Sequence, residues 1–282
     1  MKVSISGIDG FIGSALTKAL ATSTGFELID QPLFKHSLDD ATRLKQDAAD
    51  CDVIVHLAAK TFVPDSFTNP YLFYKNNIDT TLSILELCRV RNIKLIYLSS
   101  YVYGQPQYFP IDEMHPVADF NPYAQSKLLG EQLCVGYARY FNVHYSIVRP
   151  FNIYGKNQPA HFLVSKILSM ATEGHIQLED PRPKRDYVHV DDVADAIIRI
   201  MQHNEFNGNV FNVCSGQSVS IQEIVEAAST MQSHDVKVTY SNVQRPNEIL
   251  DTIGDNQQAF KAFQWKPTHN VIQDILTNEI DN

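Results

Sequence analysis

Gly7-Ile8-Asp9-Gly10-Phe11-Ile12-Gly13 follows a short apolar run, residues 2–6, and opens an amphipathic stretch at 11–22. Glycines at this spacing permit a tight turn and let backbone approach a partner closely, where any side chain would stand in the way. Two uses fit the motif. It is either a turn of purely structural value or a cradle for a dinucleotide pyrophosphate, held by free amides and the roughly half positive charge at a helix N-terminus.

The remaining chain supplies the context the second use requires. Short β-branched runs at 26–29, 53–57, 95–99 and 145–149 alternate with helical stretches at 80–91 and 123–141. Such alternation predicts parallel strands joined by crossover helices, a doubly wound, Rossmann-like α/β fold. Beyond Pro150 the pattern loosens. Helices are predicted at 160–172, near Asp192, at 221–231 and at 271–278, with strands at 209–213 and 236–239 and an irregular stretch at 181–183. With 282 residues, the chain divides into a cofactor-binding part at 1–152 and a smaller α/β substrate-binding part at 153–282, with the segment around 186–213 interleaving with the first.

A formal charge of −9 offers no general attraction to phosphate polymers or anionic lipid, so nucleic acid and membrane are not expected partners, and any anionic ligand must be met by local donors. Cys51, Cys88, Cys134 and Cys214 lack the paired spacing of zinc or redox motifs and read as buried thiols. The first residues enter a strand with no signal-peptide pattern, and no apolar run approaches the ~20 residues that span a bilayer. A reducing cytoplasm is the expected compartment.

Asp30, 23 residues after Gly7 at the end of the second strand, can accept hydrogen bonds from an adenosine ribose diol. Its charge would repel a 2′-phosphate, and neither Gln31 nor Pro32 would attract one, which favours NAD over NADP; a solvated strand end is the alternative. In Asn121-Pro122-Tyr123-Ala124-Gln125-Ser126-Lys127, a proline heads a helical run, so Tyr123 and Lys127 lie one turn apart on one face. A nearby cation and an oxidised nicotinamide would both favour the phenolate, making Tyr123 an acid/base, though surface pairs at this spacing are common. Ser99 and Ser100 end the buried run 95–98 at the edge where doubly wound folds bind ligands, and Ser99 can hydrogen-bond a substrate oxygen while Tyr123 exchanges its proton.

These residues, with Arg149-Pro150-Phe151-Asn152-Ile153-Tyr154-Gly155 and Arg185-Asp186-Tyr187-Val188-His189-Val190-Asp191-Asp192, resemble the extended short-chain dehydrogenase/reductases, and within them the nucleotide-sugar epimerase/dehydratase branch, similar to UDP-glucose 4-epimerases. The resemblance covers nearly the whole chain in order. It implies a cofactor site of Gly7, Gly10, Phe11, Ile12, Gly13, Asp30, Leu57, Ala58, Ala59, Asn77 and Pro150, together with Tyr123 and Lys127. Lys127 would hold the nicotinamide ribose and depress the Tyr123 pKa, and Asn77 would brace the catalytic strands. It implies a substrate site of Ser99, Ser100, Tyr123, Asn152, Arg185 and Arg245 for a nucleotide-diphosphate sugar, two guanidiniums bracketing the diphosphate. A homodimer through helices 80–91 and 123–141 is the matching assembly. His189, Asp191 and Asp192 suggest a helix start and not a metal site.

Three functions follow from the resemblance. The first is an NAD-dependent epimerase, acting at the sugar's fourth carbon. The second is an NAD(P)H-dependent reductase of a nucleotide-linked 4-keto-6-deoxy sugar, for which His161 falls near an expected histidine while Tyr101 replaces an expected cysteine. The third is a dinucleotide-sensing regulator without catalysis. Dehydration is disfavoured, because Ser100 and Tyr101 stand where an acidic pair would act. The chain is shorter than most members after Asn152, and residues 178–184 lack the usual glycine-bearing turn, so the sugar is left open.

Overall fold

The computed structural model describes residues 1–29, 50–244 and 248–280, so Asp30 and Arg245 lie outside the described residues. Its first half is built from β1 (Lys2–Ser6), α1 (Phe11–Thr22), β2 (Glu27–Leu28), β3 (Val53–His56), α2 (Val63–Thr68), α3 (Pro70–Arg91), β4 (Lys94–Leu98), α4 (Pro122–Phe141) and β5 (Tyr145–Pro150). The second half adds β6 (Asn152–Tyr154), α5 (Leu163–Thr172), β7 (His175–Leu178), β8 (Lys184–His189), α6 (Val190–Gln202), β9 (Asn207–Val213), β10 (Ser218–Ser220), α7 (Ile221–Thr230), β11 (Lys237–Tyr240), α8 (Gln257–Phe263) and α9 (Val271–Leu276).

Six parallel strands form the central sheet in the order β2-β1-β3-β4-β5-β9. Strands buried on both faces read as unbroken apolar runs, as Val53-Ile54-Val55 and Leu95-Ile96-Tyr97-Leu98 do, because helices cover both sides. On one face Leu16 and Leu20 of α1 pack with Val193, Ile197 and Ile200 of α6. On the other, Ile84, Leu85 and Cys88 of α3 pack with Cys134 of α4 over Ile54, Leu95 and Tyr97. The strand order reverses at β1, and an open parallel sheet binds ligands outside the carboxyl ends of its strands at such a point. β9 returns from the second half to line the edge of β5, matching Val148 to Phe211.

The second half holds its own core of Tyr154, Ile167, Ile176, Tyr187, Ile224 and Ile275. Around it lie a three-stranded sheet in the order β10-β8-β6 and the parallel pair β11-β7. The sequence reading placed a helix at 80–91, whereas α3 starts ten residues earlier at Pro70. Polar Asn76, Asn77 and Thr81 interrupt the apolar stripe there, yet Asn77 and Thr81 are buried by hydrogen bonding, so the period hides the first turns. The helix expected from Ala160 begins at Leu163 and the one expected near Asp192 begins at Val190. β6, β7, β8, β10, α2 and α8 are elements the sequence reading did not place.

Candidate active site

A cavity of about 1240 Å³ lies over the carboxyl ends of β1, β3, β4 and β5. Its floor begins with the glycine turn. Gly7 adopts φ +79°, a left-handed conformation costly for any side chain, and Gly10 N donates to Gly7 O at 3.0 Å. A Cβ on Gly13 would sit 2.2 Å from Gly7 O and 2.5 Å from Ile8 O, so only glycine lets α1 start this close to β1. No side chain caps the first turn of α1, and Gly10, Phe11, Ile12 and Gly13 line the cavity, leaving helix amides for an anion. Leu57, Ala58 and Ala59 continue the wall after β3. A flat apolar wall beside a phosphate cradle fits a dinucleotide.

Beneath that wall His56 is fully buried, with Nδ1 2.7 Å from Ser6 Oγ and Nε2 3.1 Å from Thr81 Oγ1, and burial drives its pKa down to about 3. Asn77 ties the next stretch to α4: it accepts from Lys60 N at 2.8 Å and donates to Ser126 Oγ at 2.9 Å. Ser126 in turn donates to Tyr123 O at 2.7 Å.

Asn121 caps α4 by accepting from Ala124 N at 2.7 Å, and Pro122 opens the helix, so Tyr123 and Lys127 face inward together. They are not a solvated surface pair. Both line the cavity, and Lys127 is 3% exposed with Nζ 4.4 Å from the centre of the Tyr97 ring. Burial lowers the Lys127 pKa to about 8, with Glu131 pulling it back upward. For Tyr123, burial raises the pKa, while a hydrogen bond with Ser100 opposes the rise. Desolvation is the larger of these two effects on the Tyr123 phenol.

Ser99, at the end of β4, is buried and donates to Glu131 Oε1 at 2.5 Å. Glu131 also receives the fork of Arg149, Nε at 2.9 Å and Nη2 at 2.6 Å. Arg149 Nη1 reaches Tyr103 Oη at 3.1 Å, and Tyr103 donates to Asn212 Oδ1 at 2.6 Å. The sequence reading missed Glu131. Its signal was present: an acid one turn beyond Lys127 on the inward face, and an arginine inside an apolar strand.

On the far side of the cavity lie Asn152 and Arg185. Asn152 donates to Asp186 O at 3.2 Å, and Arg185 pairs through Nη2 with Glu248 and through Nη1 with Ile249 O at 2.5 Å. The partner arginine expected at 245 falls outside the described residues. His161 meets Phe62 edge-on at 4.5 Å and Phe162 at 4.5 Å, a ring cluster bridging the segment after β3 and the start of α5 across the cavity. Tyr101 donates to Gly104 O at 2.6 Å and packs on Phe151.

His189 caps α6, its Nδ1 accepting from Asp191 N at 3.2 Å. The Asp192 carboxylate collects Thr268 N at 3.0 Å, Thr268 Oγ1 at 2.7 Å and His269 N at 3.1 Å. Donor atoms of His189, Asp191 and His269 lie within 4.8 Å of one another. The two imidazoles stack flat at 4.0 Å, however, and both Nδ1 atoms are engaged by the helix start and by Asp192, which suits anchoring of the C-terminal segment.

Comparison with known proteins places this geometry in context. The family model described as NAD dependent epimerase/dehydratase family matches residues 3–214. A UDP-glucose 4-epimerase of Lactobacillus helveticus is 27% identical over 98% of this chain and 95% of its own length. The GDP-6-deoxy-D-mannose reductase of Pseudomonas aeruginosa is 29% identical over 96% of this chain and 93% of its own. Among solved structures, RMD from Pseudomonas aeruginosa complexed with NADPH superimposes with a TM-score of 0.89 at 29% identity, covering 98% of this chain and 96% of that one. UDP-glucuronic acid 4-epimerase from Bacillus cereus, in complex with UDP-glucuronic acid and NAD, gives 0.87 at 25% identity over 99% and 98%.

Proposed function

This chain belongs to the NAD dependent epimerase/dehydratase family, and on that premise we propose that it is an NAD-dependent epimerase of a nucleotide-diphosphate sugar, acting at the fourth carbon. The observation that carries the reading is the convergence of Ser99, Ser100, Tyr123 and Lys127 with the glycine cradle in one cavity. Bound NAD supplies acceptance and return of a hydride. Tyr123 takes the proton of the sugar hydroxyl and later returns it, and the Lys127 ammonium favours the phenolate once a second positive charge stands beside it. Asn77 holds the segment after β3 against the helix carrying both residues. Arg185 and Asn152 meet the diphosphate, Arg185 exchanging Glu248 for phosphate oxygens, with Arg245 as its partner. The charge of Asp30 supports NAD over NADP.

Reduction of a nucleotide-linked 4-keto-6-deoxy sugar is the second reading, favoured by the likeness to the Pseudomonas reductase and to RMD with NADPH. Incubating the purified protein with UDP-, dTDP- and GDP-sugars, without added cofactor, separates the two. Epimer formation supports the first; inactivity relieved only by a ketosugar with NADH or NADPH supports the second.

A homodimer in the cytoplasm is the proposed setting. Val135 and Tyr140 of α4 and Val90 of α3 remain exposed on the paired helices, an apolar face suited to a second copy. All four cysteines are buried and unpaired, and among the described residues no helix is long and apolar enough to cross a membrane.

A further inference from the structure

Three aromatic rings cross the cavity between the two halves of the chain. Phe62 follows β3 and the wall of Leu57, Ala58 and Ala59, whereas His161 and Phe162 stand just before α5. His161 meets Phe62 edge-on with centroids 4.5 Å apart, and Phe162 meets the same ring edge-on at 6.2 Å. All three line the cavity, and His161 is exposed while the two phenyl rings are half-buried, so the contact lies at the rim of the space that the glycine turn floors.

Both phenylalanines occupy helix N-cap positions, Phe62 before α2 and Phe162 before α5, and neither side chain caps its helix. Ser, Thr, Asp or Asn there would satisfy free amides, so two aromatic rings forgo that gain and make ring contacts across the cavity instead. Each side is fastened to its own wall. Asn77 holds Lys60 through both backbone groups, accepting from N at 2.8 Å and donating to O at 3.1 Å, and Asp65 N donates to Phe62 O at 3.1 Å. Opposite, Gln158 Nε2 donates to Ile153 O at 2.6 Å and its Oε1 accepts from Ser165 Oγ at 3.2 Å, while Phe162 N donates to Pro159 O at 3.0 Å. The backbones on either side are braced, and rings that turn aside are enough to part the contact. An aromatic pair is worth up to about tenfold in an equilibrium, which favours the closed form without locking it.

We propose that Phe62, His161 and Phe162 form a clasp across the cavity that slows the release of bound NAD, so that one cofactor serves successive turnovers. The clasp rests on the reading of this cavity as the NAD site of an epimerase, whose cycle returns NAD oxidised and needs no exchange. It also gives His161 a use other than proton transfer, its ring packed against both phenyl rings.

Exchange of bound NAD tests the clasp without any sugar. Protein loaded with NAD is mixed with excess etheno-NAD, and the rate of replacement is read from fluorescence. His161→Ala should speed exchange several-fold and Phe62→Ala about tenfold, since the latter removes two ring pairs. In the double variant the two effects should fall well short of multiplying, because either change alone breaks the contact they share. Conversely, Phe62→Cys with His161→Cys, joined by a cleavable bis-maleimide while NAD is bound, should exchange more slowly than wild type until the link is reduced. The four native cysteines are buried and stay out of that reaction.

Exchange within about twofold of wild type in the folded single variants, effects that multiply in full, or a linked protein that exchanges freely overturns the clasp. Thermal melting identifies folded variants, and where Phe62→Ala does not fold, His161→Ala at its exposed position decides alone. The functional reading fails separately. A protein whose clasp slows NAD exchange but which turns over neither nucleotide sugar nor ketosugar keeps the clasp and loses the epimerase.

Discussion

Gly13→Ala isolates what the glycine turn does. The added Cβ would meet Gly7 O at 2.2 Å, Ile8 O at 2.5 Å and Ile8 C at 2.8 Å, all backbone atoms that cannot rotate aside. Relief requires the start of α1 to recede by about 0.8 Å, from 2.2 Å to beyond the 3.0 Å floor of real Cβ contacts. Forced overpacking of this kind costs about 3 kcal/mol of stability, the upper end of its usual range, because the obstruction is main chain. The same retreat draws the uncapped amides of α1 away from the cofactor's phosphates. Losing the equivalent of one charge-assisted hydrogen bond, about 2 kcal/mol, weakens NAD binding roughly 30-fold. Gly136→Ala in α4 is the control, since a Cβ there meets nothing within 4 Å and a mid-helix glycine replaced by alanine should gain up to ~1 kcal/mol. Thermal melting of the ligand-free proteins and calorimetric titration with NAD measure both quantities. A Gly13→Ala protein with unchanged melting temperature and NAD affinity within twofold of wild type would refute the close-packing argument.

Tyr123→Phe should lower turnover by about 10³-fold while NAD binding persists, read from steady-state rates and calorimetry; near wild-type rates would remove Tyr123 from proton transfer. His56 is held neutral by burial, with its folded pKa depressed to about 3. The unfolded chain therefore binds the extra proton first, and stability present above pH ~6.5 drains away as pH falls toward 3, by at most about 4 kcal/mol. Urea melts at pH 7 and pH 4 should show a smaller acid loss for His56→Asn than for wild type, and equal losses would contradict the assignment. Val135→Glu places a charge on the exposed face of α4 and should halve the mass found by light scattering, with activity per chain retained by any folded monomer. A wild type already monomeric at micromolar concentration would exclude that face as the dimer contact.

The first half was legible because its signals are local. Unbroken β-branched runs need both faces covered, and the five strands expected there are found within a residue or two at their ends, each beside its parallel neighbour. The second half was less so. β6 and β10 span three residues each, too short for any period to register, and β8 carries Lys184, Arg185, Asp186 and His189 in a strand that would read as loop. Asp186 explains that departure. Its carboxylate accepts from Ser215 N and Oγ, Gly216 N and Gly254 N, so a buried charge in the strand ties together three distant segments. A side chain selected for long-range bonding breaks the pattern that would announce its strand.

The same physics separates the site residues that were read from the sequence from Glu131 and its partner Arg149, whose signal was present but easily read otherwise. Gly7, Gly10 and Gly13, Tyr123 and Lys127, and Ser99 each stand at a turn, a helix start or a strand end, where spacing alone restricts what they can meet. Glu131 and Arg149 sit in the middle of a helix and of a strand, where an isolated charge suggests a solvent-facing position. Only the register that sets β4 beside β5 and lays α4 across them brings the two charges together, 8% exposed each, behind Ser99. Two charges taken out of water are costly even when paired, and replacing such a pair with apolar side chains often stabilises a protein. Here the pair is extended through Tyr103 to Asn212, so α4, β5 and β9 are tied together behind the cavity, and that long-range bonding is what the charges supply.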